Sequence, residues 1–272
     1  MRWGLDTVTV RLTKRIALTG VSVPANPSEV TVVVGGDGAG KTTSMRTLVG
    51  LVQPEGGTVE RPSKEAIGYV PATAGLYPDL SAEENLAFAA RAYGASAGGR
   101  AGLVANMLSK VGLRGAERRL AGQLSGGMKR KLALAMALIH SPELVVLDEP
   151  TTGVDPLSRV ELWGLISEAA ANGAAVVVAT TYLNEATRAT LAVVLGGGRV
   201  LASGPPEELV GKIPGAVGSI QSDTQPTPLS WRRGAAWRVW APSGDLPGGA
   251  EAVNADFEDA AVVASLAAGE SE

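Results

Sequence analysis

The sequence predicts an α/β fold built on a mostly parallel sheet, with an antiparallel β layer ahead of it, a helical insert and a small C-terminal extension. Three observations carry this. Val30-Thr31-Val32-Val33-Val34, Leu144-Val145-Val146-Leu147 and Ala175-Val176-Val177-Val178-Ala179 are continuous β-prone runs, the pattern of strands covered on both faces. Segments of helical character alternate with them, as in a parallel sheet. Gly35 to Thr43 stands directly behind the first run as a glycine-rich turn between a strand and a helix.

In chain order, residues 5–34 alternate short β-prone pieces (Thr7-Val8-Thr9-Val10, Val21-Ser22-Val23, Val30 to Val34) with the turn formers Gly20, Pro24 and Pro27, which predicts the antiparallel layer. Thr42 to Val49 reads as a helix. Gln53-Pro54-Glu55-Gly56-Gly57 reads as a turn, Ala66 to Val70 as a strand and Pro71 to Pro78 as a loop. Ser81-Ala82-Glu83-Glu84 has the capping-box form and opens a helix through about Tyr93. Gly94 to Gly99 breaks it, and Leu103, Met107, Leu108 and Val111 sit at helical spacing in the next one. Residues 80–120 are thus an all-helical insert, within a helical subdomain of about 73–135. Lys131 to Ile139 reads as a long helix, introduced by Ser125 and two glycines. Pro156 to Asn172 is a further helix, with Pro at its first position and Gly173 past its end. Leu191 to Leu195 and Arg199 to Ala202 add two strands. From about Gly211 the composition turns to Gly, Pro, Ser and Thr and then to Trp231, Trp237 and Trp240, three of the five tryptophans. This predicts one α/β domain over 1–210, then a linker and small module over 211–272 with the tryptophans as its minimal core.

Composition bounds the partners. A chain of 272 residues with 45% hydrophobic and 19% charged residues is a globular protein. A formal charge of −3 with no Lys/Arg-rich block argues against nucleic acid as a partner. With 0 cysteines, neither a disulfide framework nor a thiolate metal site is possible. No apolar run approaches the roughly 18–20 residues that cross a bilayer, and Met1 to Leu12 has no secretory core. A cytoplasmic location is expected, with the membrane reached only by docking to a spanning partner.

The chemistry centres on Gly35-Gly36-Asp37-Gly38-Ala39-Gly40-Lys41-Thr42-Thr43, which matches GxxxxGKT behind a strand. Glycines let the backbone turn its N–H groups inward as a nest for anionic oxygens, and the helix N-terminus adds to it. Lys41 then reaches the β/γ-phosphates and the Thr42 hydroxyl holds Mg²⁺. Asp148-Glu149 ends a core strand where α/β sheets bind ligands, so one carboxylate can hold Mg²⁺ while the other orients or deprotonates water. Ser125-Gly126-Gly127, taken alone, reads as an ordinary capped helix start; beside a phosphate loop it reads as a second phosphate-binding element.

These pieces in this order resemble the nucleotide-binding subunits of ATP-binding cassette (ABC) transporters over most of residues 5–210. The motifs are the Walker A loop Gly35 to Thr43, the signature Leu124-Ser125-Gly126-Gly127-Met128, the Walker B strand Leu144 to Asp148 with Glu149, and the D-loop Thr151 to Pro156. The resemblance implies a P-loop NTPase core of the ABC ATPase type. Gly75 to Leu80 before Glu84-Asn85-Leu86, and the tail Asp256-Phe257-Glu258-Asp259-Ala260, are similar to prokaryotic drug and antibiotic exporters. Carried over by position, ATP falls to Gly35, Gly36, Asp37, Gly38, Ala39, Gly40, Lys41, Thr42 and Thr43, and Mg²⁺ to Thr42 and Asp148. The same resemblance implies Glu149 as the general base and Lys41 as the second catalytic group. It implies that Ser125, Gly126, Gly127 and Met128 would face the nucleotide held by the opposite subunit of a head-to-tail dimer driving a separate membrane permease.

Three family positions are not met. No aromatic residue stands near Arg15-Ile16 to stack on adenine; the glutamine after Tyr69-Val70-Pro71 is Ala72; and the switch histidine after Thr180 is Thr181. The single histidine, His140, lies before the Walker B strand. Binding is expected to survive this better than turnover, the missing amide at Ala72 and the missing imidazole at Thr181 each costing on the order of 10–10³ in rate. The expected function is therefore an ATP-hydrolysing exporter subunit. The alternative is a non-catalytic ATP-binding subunit that lends its signature to a complete partner. A soluble ATPase acting on ribosomes or DNA is a third reading, without the second cassette or DNA-binding insert usual there.

Overall fold

The computed structural model describes residues 3–13 and 15–269. In chain order its elements are β1 (Trp3–Leu12), β2 (Arg15–Ala25), β3 (Val30–Val34), α1 (Lys41–Leu48), β4 (Gly56–Glu60), β5 (Ile67–Val70), α2 (Ala82–Ala92), α3 (Ala97–Lys110) and α4 (Gly126–Leu138). There follow β6 (Leu144–Asp148), α5 (Pro156–Ala171), β7 (Ala175–Thr180), β8 (Leu191–Gly196), β9 (Arg199–Gly204), α6 (Pro206–Gly211), β10 (Ala216–Ile220), β11 (Ser230–Arg233), β12 (Ala236–Ala241), β13 (Glu251–Ala252) and α7 (Phe257–Ala267).

The three apolar runs are adjacent strands of a six-stranded sheet in the order β5-β6-β7-β3-β8-β9, parallel except for the edge strand β9. Successive side chains alternate faces, and here both faces are buried. Val32, Val34, Val145 and Val178 pack under α5 through Leu162, Trp163 and Ile166. Val33, Val146 and Val177 pack on the other side against Met45 and Leu48 of α1 and against Val8 and Val21 of β1 and β2. A fully buried Val or Leu side chain contributes about 1.5–3 kcal/mol, which is why these runs contain no polar alternation.

The antiparallel layer is a three-stranded sheet, order β2-β1-β4. Two turn expectations are corrected in it. Gly56-Gly57 opens β4, which pairs with β1, and a Cβ on Gly57 (φ 82°) would lie 2.4 Å from the Thr7 carbonyl oxygen. What reads as a turn dipeptide is a place where two backbones approach closely. Gly20 and Pro24 lie within β2: Gly20 falls at a bulge in the ladder to β1, between the Val21 and Leu18 pairs, while Pro24 pairs in register with Gly4.

The helical insert has its own core, formed by Leu86 of α2, Val104 and Leu108 of α3, and Leu132 and Ala135 of α4. The capping box forms as expected: the Ser81 hydroxyl accepts from Glu84 N, and Glu84 Oε2 accepts from Ser81 N. Fully buried Asn85 holds the preceding loop against α2, donating to the carbonyls of Tyr77, Leu80 and Ser81 while accepting from Tyr77 N. Two helix boundaries are corrected. α3 starts at Ala97 and so contains Gly98 and Gly99, and α4 starts at Gly126, five residues before Lys131. Glycine is tolerated in a first turn, where side-chain caps and solvent serve N–H groups that have no partner within the helix.

Beyond α6, β10 begins within a few residues, and a four-stranded sheet of order β11-β12-β10-β13 forms. Trp240 and Trp231 pack with Val217 and with Val263 of α7. Trp237 instead donates from Nε1 to the Ser222 carbonyl, beneath the Arg232 guanidinium. Asp256 caps α7 in a second capping box with Asp259. Buried Asp259 accepts from Arg233 at 3.0 Å, and Arg238 Nε lies 3.5 Å away. The same helix sends Phe257 and Ala261 into the core beneath the six-stranded sheet. The Asp256 to Ala260 segment thus ties the C-terminal sheet to the main sheet.

His140 follows α4 and stacks on Tyr93, ring centroids 3.6 Å apart and 3° from parallel. Burial lowers its pKa from the ordinary 6.5. The unfolded chain therefore takes up this proton first, so stability from neutral His140 is full above the ordinary value and is lost as pH falls through it. Urea midpoints should fall more for the wild-type chain than for His140→Phe between about pH 7.5 and about pH 5.5; equal falls would contradict this origin.

Candidate functional site

The register of the sheet builds the site. Val34 pairs with Thr180 and Asp148 with Ala179, so the residues that follow these strands, Gly35, Glu149 and Thr181, emerge along one edge at the C-terminal end of the sheet.

The loop from Gly35 to Gly40 turns through three glycines with positive φ, Gly35, Gly38 and Gly40, into α1. At Gly40 the reason is both conformational and steric: φ is 105°, and a Cβ would lie 2.6 Å from Leu18 Cδ2. Gly36, Asp37 and Gly38 are exposed at the tip; Ala39 is buried, its carbonyl accepting from Gly198 N. No side chain caps α1. Its first N–H groups are thus not taken by a side-chain cap at the end of the loop, the arrangement that binds anions. Lys41 is 7% exposed and folds over the loop, donating from Nζ to the carbonyls of Gly35 (2.7 Å) and Gly36 (3.1 Å). A cation is thereby held over the glycine-rich loop.

Thr42 Oγ1 donates to Asp148 Oδ1 at 3.2 Å, and Asp148 is 1% exposed. Burial raises the Asp148 pKa, while the Thr42 hydroxyl acts in the opposite sense. Two adjacent hard oxygens, one from a carboxylate that gains from a nearby cation, suit Mg²⁺, which takes few protein ligands and completes its shell with water and phosphate. Thr43 is half-buried in the first turn of α1.

Glu149 has a left-handed backbone (φ 52°), uncommon for a residue with a side chain. Its N–H donates to the Ala179 carbonyl at 2.9 Å. Its carboxylate lies 3.7 Å from Lys41 Nζ through Oε1 and accepts from Thr152 Oγ1 at 2.8 Å through Oε2. Lys41, Thr42, Asp148 and Glu149 therefore converge on one cradle.

The signature residues are elsewhere. Ser125 caps α4 by accepting from Met128 N at 3.3 Å; Gly126 and Gly127 abut Gly153 and Ser158; the Met128 side chain packs on the helical core. Among the described residues none of these four hydrogen-bonds to the glycine-rich loop. Ala72 and Thr181 are exposed at the ends of β5 and β7, and the aliphatic side chains of Leu12 and Ile16 are exposed on the β1–β2 hairpin.

Two residues not singled out in the sequence belong to the site's surroundings. One is Thr152. The other is Arg130, whose guanidinium burial lowers its pKa while the carboxylates of Glu149 and Asp148 act in the opposite sense. Thr152 falls inside the D-loop stretch Thr151 to Pro156, where the resemblance assigns it no role of its own, and Arg130 gave no signal beyond its place in a basic triplet.

Comparison with known proteins agrees with this geometry. The family model described as ABC transporter matches residues 18–152. A probable multidrug ABC transporter ATP-binding protein of Escherichia coli is 41% identical over 190 residues, covering 66% of this chain and 33% of its own. The chain thus spans about a third of that relative's length. Nod factor export ATP-binding protein I of Burkholderia orbicola is 36% identical over 207 residues, covering 72% of this chain and 68% of its own. A solved ATP-binding subunit of an ABC transporter superposes with a TM-score of 0.70 at 29% identity, over 77% of this chain and 92% of its own. A dimeric bacterial ABC transporter cassette has the same fold, with a TM-score of 0.67 at 24% identity, over 75% of this chain and 98% of its own.

Proposed function

The chain belongs to the ABC transporter family, as an ATP-binding subunit, and from that membership we propose that it binds Mg·ATP in the Gly35–Thr43 loop and hydrolyses it to drive a separate export permease. The convergence of Lys41, Thr42, Asp148 and Glu149 on one cradle carries the reading.

The triphosphate displaces Lys41 Nζ from the Gly35 and Gly36 carbonyls and takes it as a partner for the β/γ-phosphates, while loop and α1 N–H groups bind the remaining oxygens. Thr42 and Asp148 would hold Mg²⁺, which would supply positive charge to offset that of the phosphates. Glu149 accepts a proton from the attacking water. Exposed Ile16 offers the adenine an aliphatic surface in place of the aromatic one. Ser125, Gly126 and Gly127, with the N-terminus of α4, meet the γ-phosphate held by a second subunit, so two nucleotides close a head-to-tail dimer and their hydrolysis reopens it. Met128 serves by fixing that helix start on the helical core.

The permease surface is assigned to residues 73–120. Tyr77 (46% exposed) and Phe88 (45% exposed) stand edge to face there, centroids 4.8 Å apart, a solvent-facing aromatic pair of the kind that protein partners cover. Among the described residues no helix is long and apolar enough to cross a membrane; the proposed permease contact is what would hold the chain on the cytoplasmic face. The relatives' names, multidrug transport and Nod factor export, support an exporter.

Hydrolysis by the purified chain, measured over a range of protein concentrations, tests this. The rate per subunit should rise with concentration and then level off as the dimer fills. A rate per subunit independent of concentration would remove the dimer from the mechanism. Ala72 and Thr181 favour a second reading, a subunit that binds ATP tightly and turns it over only beside a complete partner cassette. Tight binding with no turnover at any concentration would select that reading.

A further inference from the structure

Resting on the hydrolytic reading, we infer that Thr152 is a positioning residue for Glu149: it fixes Oε2 of the carboxylate and leaves Oε1 as the one oxygen that takes the proton. The two oxygens have different partners. Oε2 accepts from Thr152 Oγ1 at 2.8 Å, and Oε1 lies 3.7 Å from Lys41 Nζ.

These contacts fare differently when nucleotide enters. Lys41 already donates to two loop carbonyls and gains phosphate oxygens as competing partners, so its hold on Oε1 is the one that lapses. Thr152 touches neither the loop nor the phosphates, and its hydrogen bond persists. Oε1, facing Lys41 and hence the γ-phosphate side, is released toward the water.

The backbone explains how a side chain three residues on can do this. The left-handed turn at Glu149, anchored through its N–H on Ala179, folds the chain back so that the Thr152 hydroxyl reaches the carboxylate, with Thr152 N 3.4 Å from the Glu149 carbonyl oxygen. Glutamate has three side-chain torsions, the last of them broad and two-fold. Without the hydroxyl, nothing outside the phosphate cradle sets that last torsion. Neighbouring Thr151 does not share the role: it is fully buried, and its Oγ1 has no hydrogen-bond partner among the described residues.

In the step itself the water oxygen bonds to the γ-phosphorus as the bond from that phosphorus to the bridging β-oxygen breaks. The water proton passes to Oε1, giving ADP and inorganic phosphate.

Steady-state ATPase assays of the full chain test the assignment. Thr152→Val keeps the branched shape and removes the donor; kcat should fall about 10-fold with KM for ATP within about two-fold of wild type. Thr152→Ser restores the donor and should recover most of the rate. In a Glu149→Gln background, Thr152→Val should cost nothing further, because both changes act through one group. Wild-type kcat in Thr152→Val, or a Ser variant as slow as the Val variant, overturns the inference while leaving Glu149-dependent hydrolysis intact. A chain that binds ATP but has no Glu149-dependent turnover overturns the hydrolytic reading and the inference together.

Discussion

Replacing Glu149 with glutamine is expected to lower kcat by about 10²–10⁴ while ATP affinity stays within a few-fold of wild type or tightens. The change removes the base and leaves the cradle: Lys41 keeps its loop carbonyls, and Thr42 keeps its hydrogen bond to Asp148. It also removes a negative charge 3.7 Å from Lys41 Nζ, in a site that must receive the anionic triphosphate. Binding and chemistry should therefore separate. Single-turnover hydrolysis, beside equilibrium nucleotide titration, measures each in turn, and gel filtration with Mg·ATP should show the variant accumulating as dimer. A glutamine variant with wild-type turnover would end the hydrolytic reading.

The second large effect runs the other way. Ala72→Gln and Thr181→His are each expected to raise turnover by about 10-fold to 10³-fold, by restoring a hydrogen-bond donor aimed at the γ-phosphate or the attacking water. Both positions admit the larger side chain without disturbing the core, since both are exposed where β5 and β7 end. β5 and β7 flank β6, Val70 pairing with Leu147 and Ala179 with Asp148, so positions 72 and 181 follow strands on either side of the Walker B strand. The gains must vanish in a Glu149→Gln background, which separates a repaired transition state from a general improvement in folding. No gain in either single variant or in the double variant would mean that the γ-phosphate is already served by residues present, with Thr181 Oγ1 and the half-buried Arg130, which senses Glu149 and Asp148, among the groups to examine.

The parts of this molecule that were legible in the sequence are those governed by local rules. A fully buried parallel strand admits few residues besides β-branched and aliphatic ones, so Val30–Val34, Leu144–Leu147 and Ala175–Ala179 announce themselves. Ser81 with Glu84, and Pro156 at a first helical position, mark helix starts because a cap answers to donors only two or three residues away and proline is preset for a first turn. The glycine-rich loop is legible because the same stretch supplies the turn, the nest and the lysine.

Misread elements depend on distant partners. Gly56-Gly57 becomes strand only because β1 lies alongside, and residues beyond 211 associate with the main sheet only because Phe257 and Ala261 find its underside. The exporter-like tail motif carries no visible reason in the sequence; its Asp259 is explained by Arg233 and Arg238, which come from another sheet.

The sequence by itself determined the layered α/β plan, the glycine-rich loop between strand and helix, and the residues proposed to bind Mg·ATP and accept a proton, since each follows from residue type and short-range spacing. Only the tertiary structure decided how they meet: the register that sets Gly35, Glu149 and Thr181 on one edge, the hydrogen bond that brings Thr42 to Asp148 across more than a hundred residues, and the left-handed turn that gives Glu149 to Thr152. Hydrogen bonds act over about three ångströms, and positions that far apart along a chain are brought to such distances only by packing of the whole sheet.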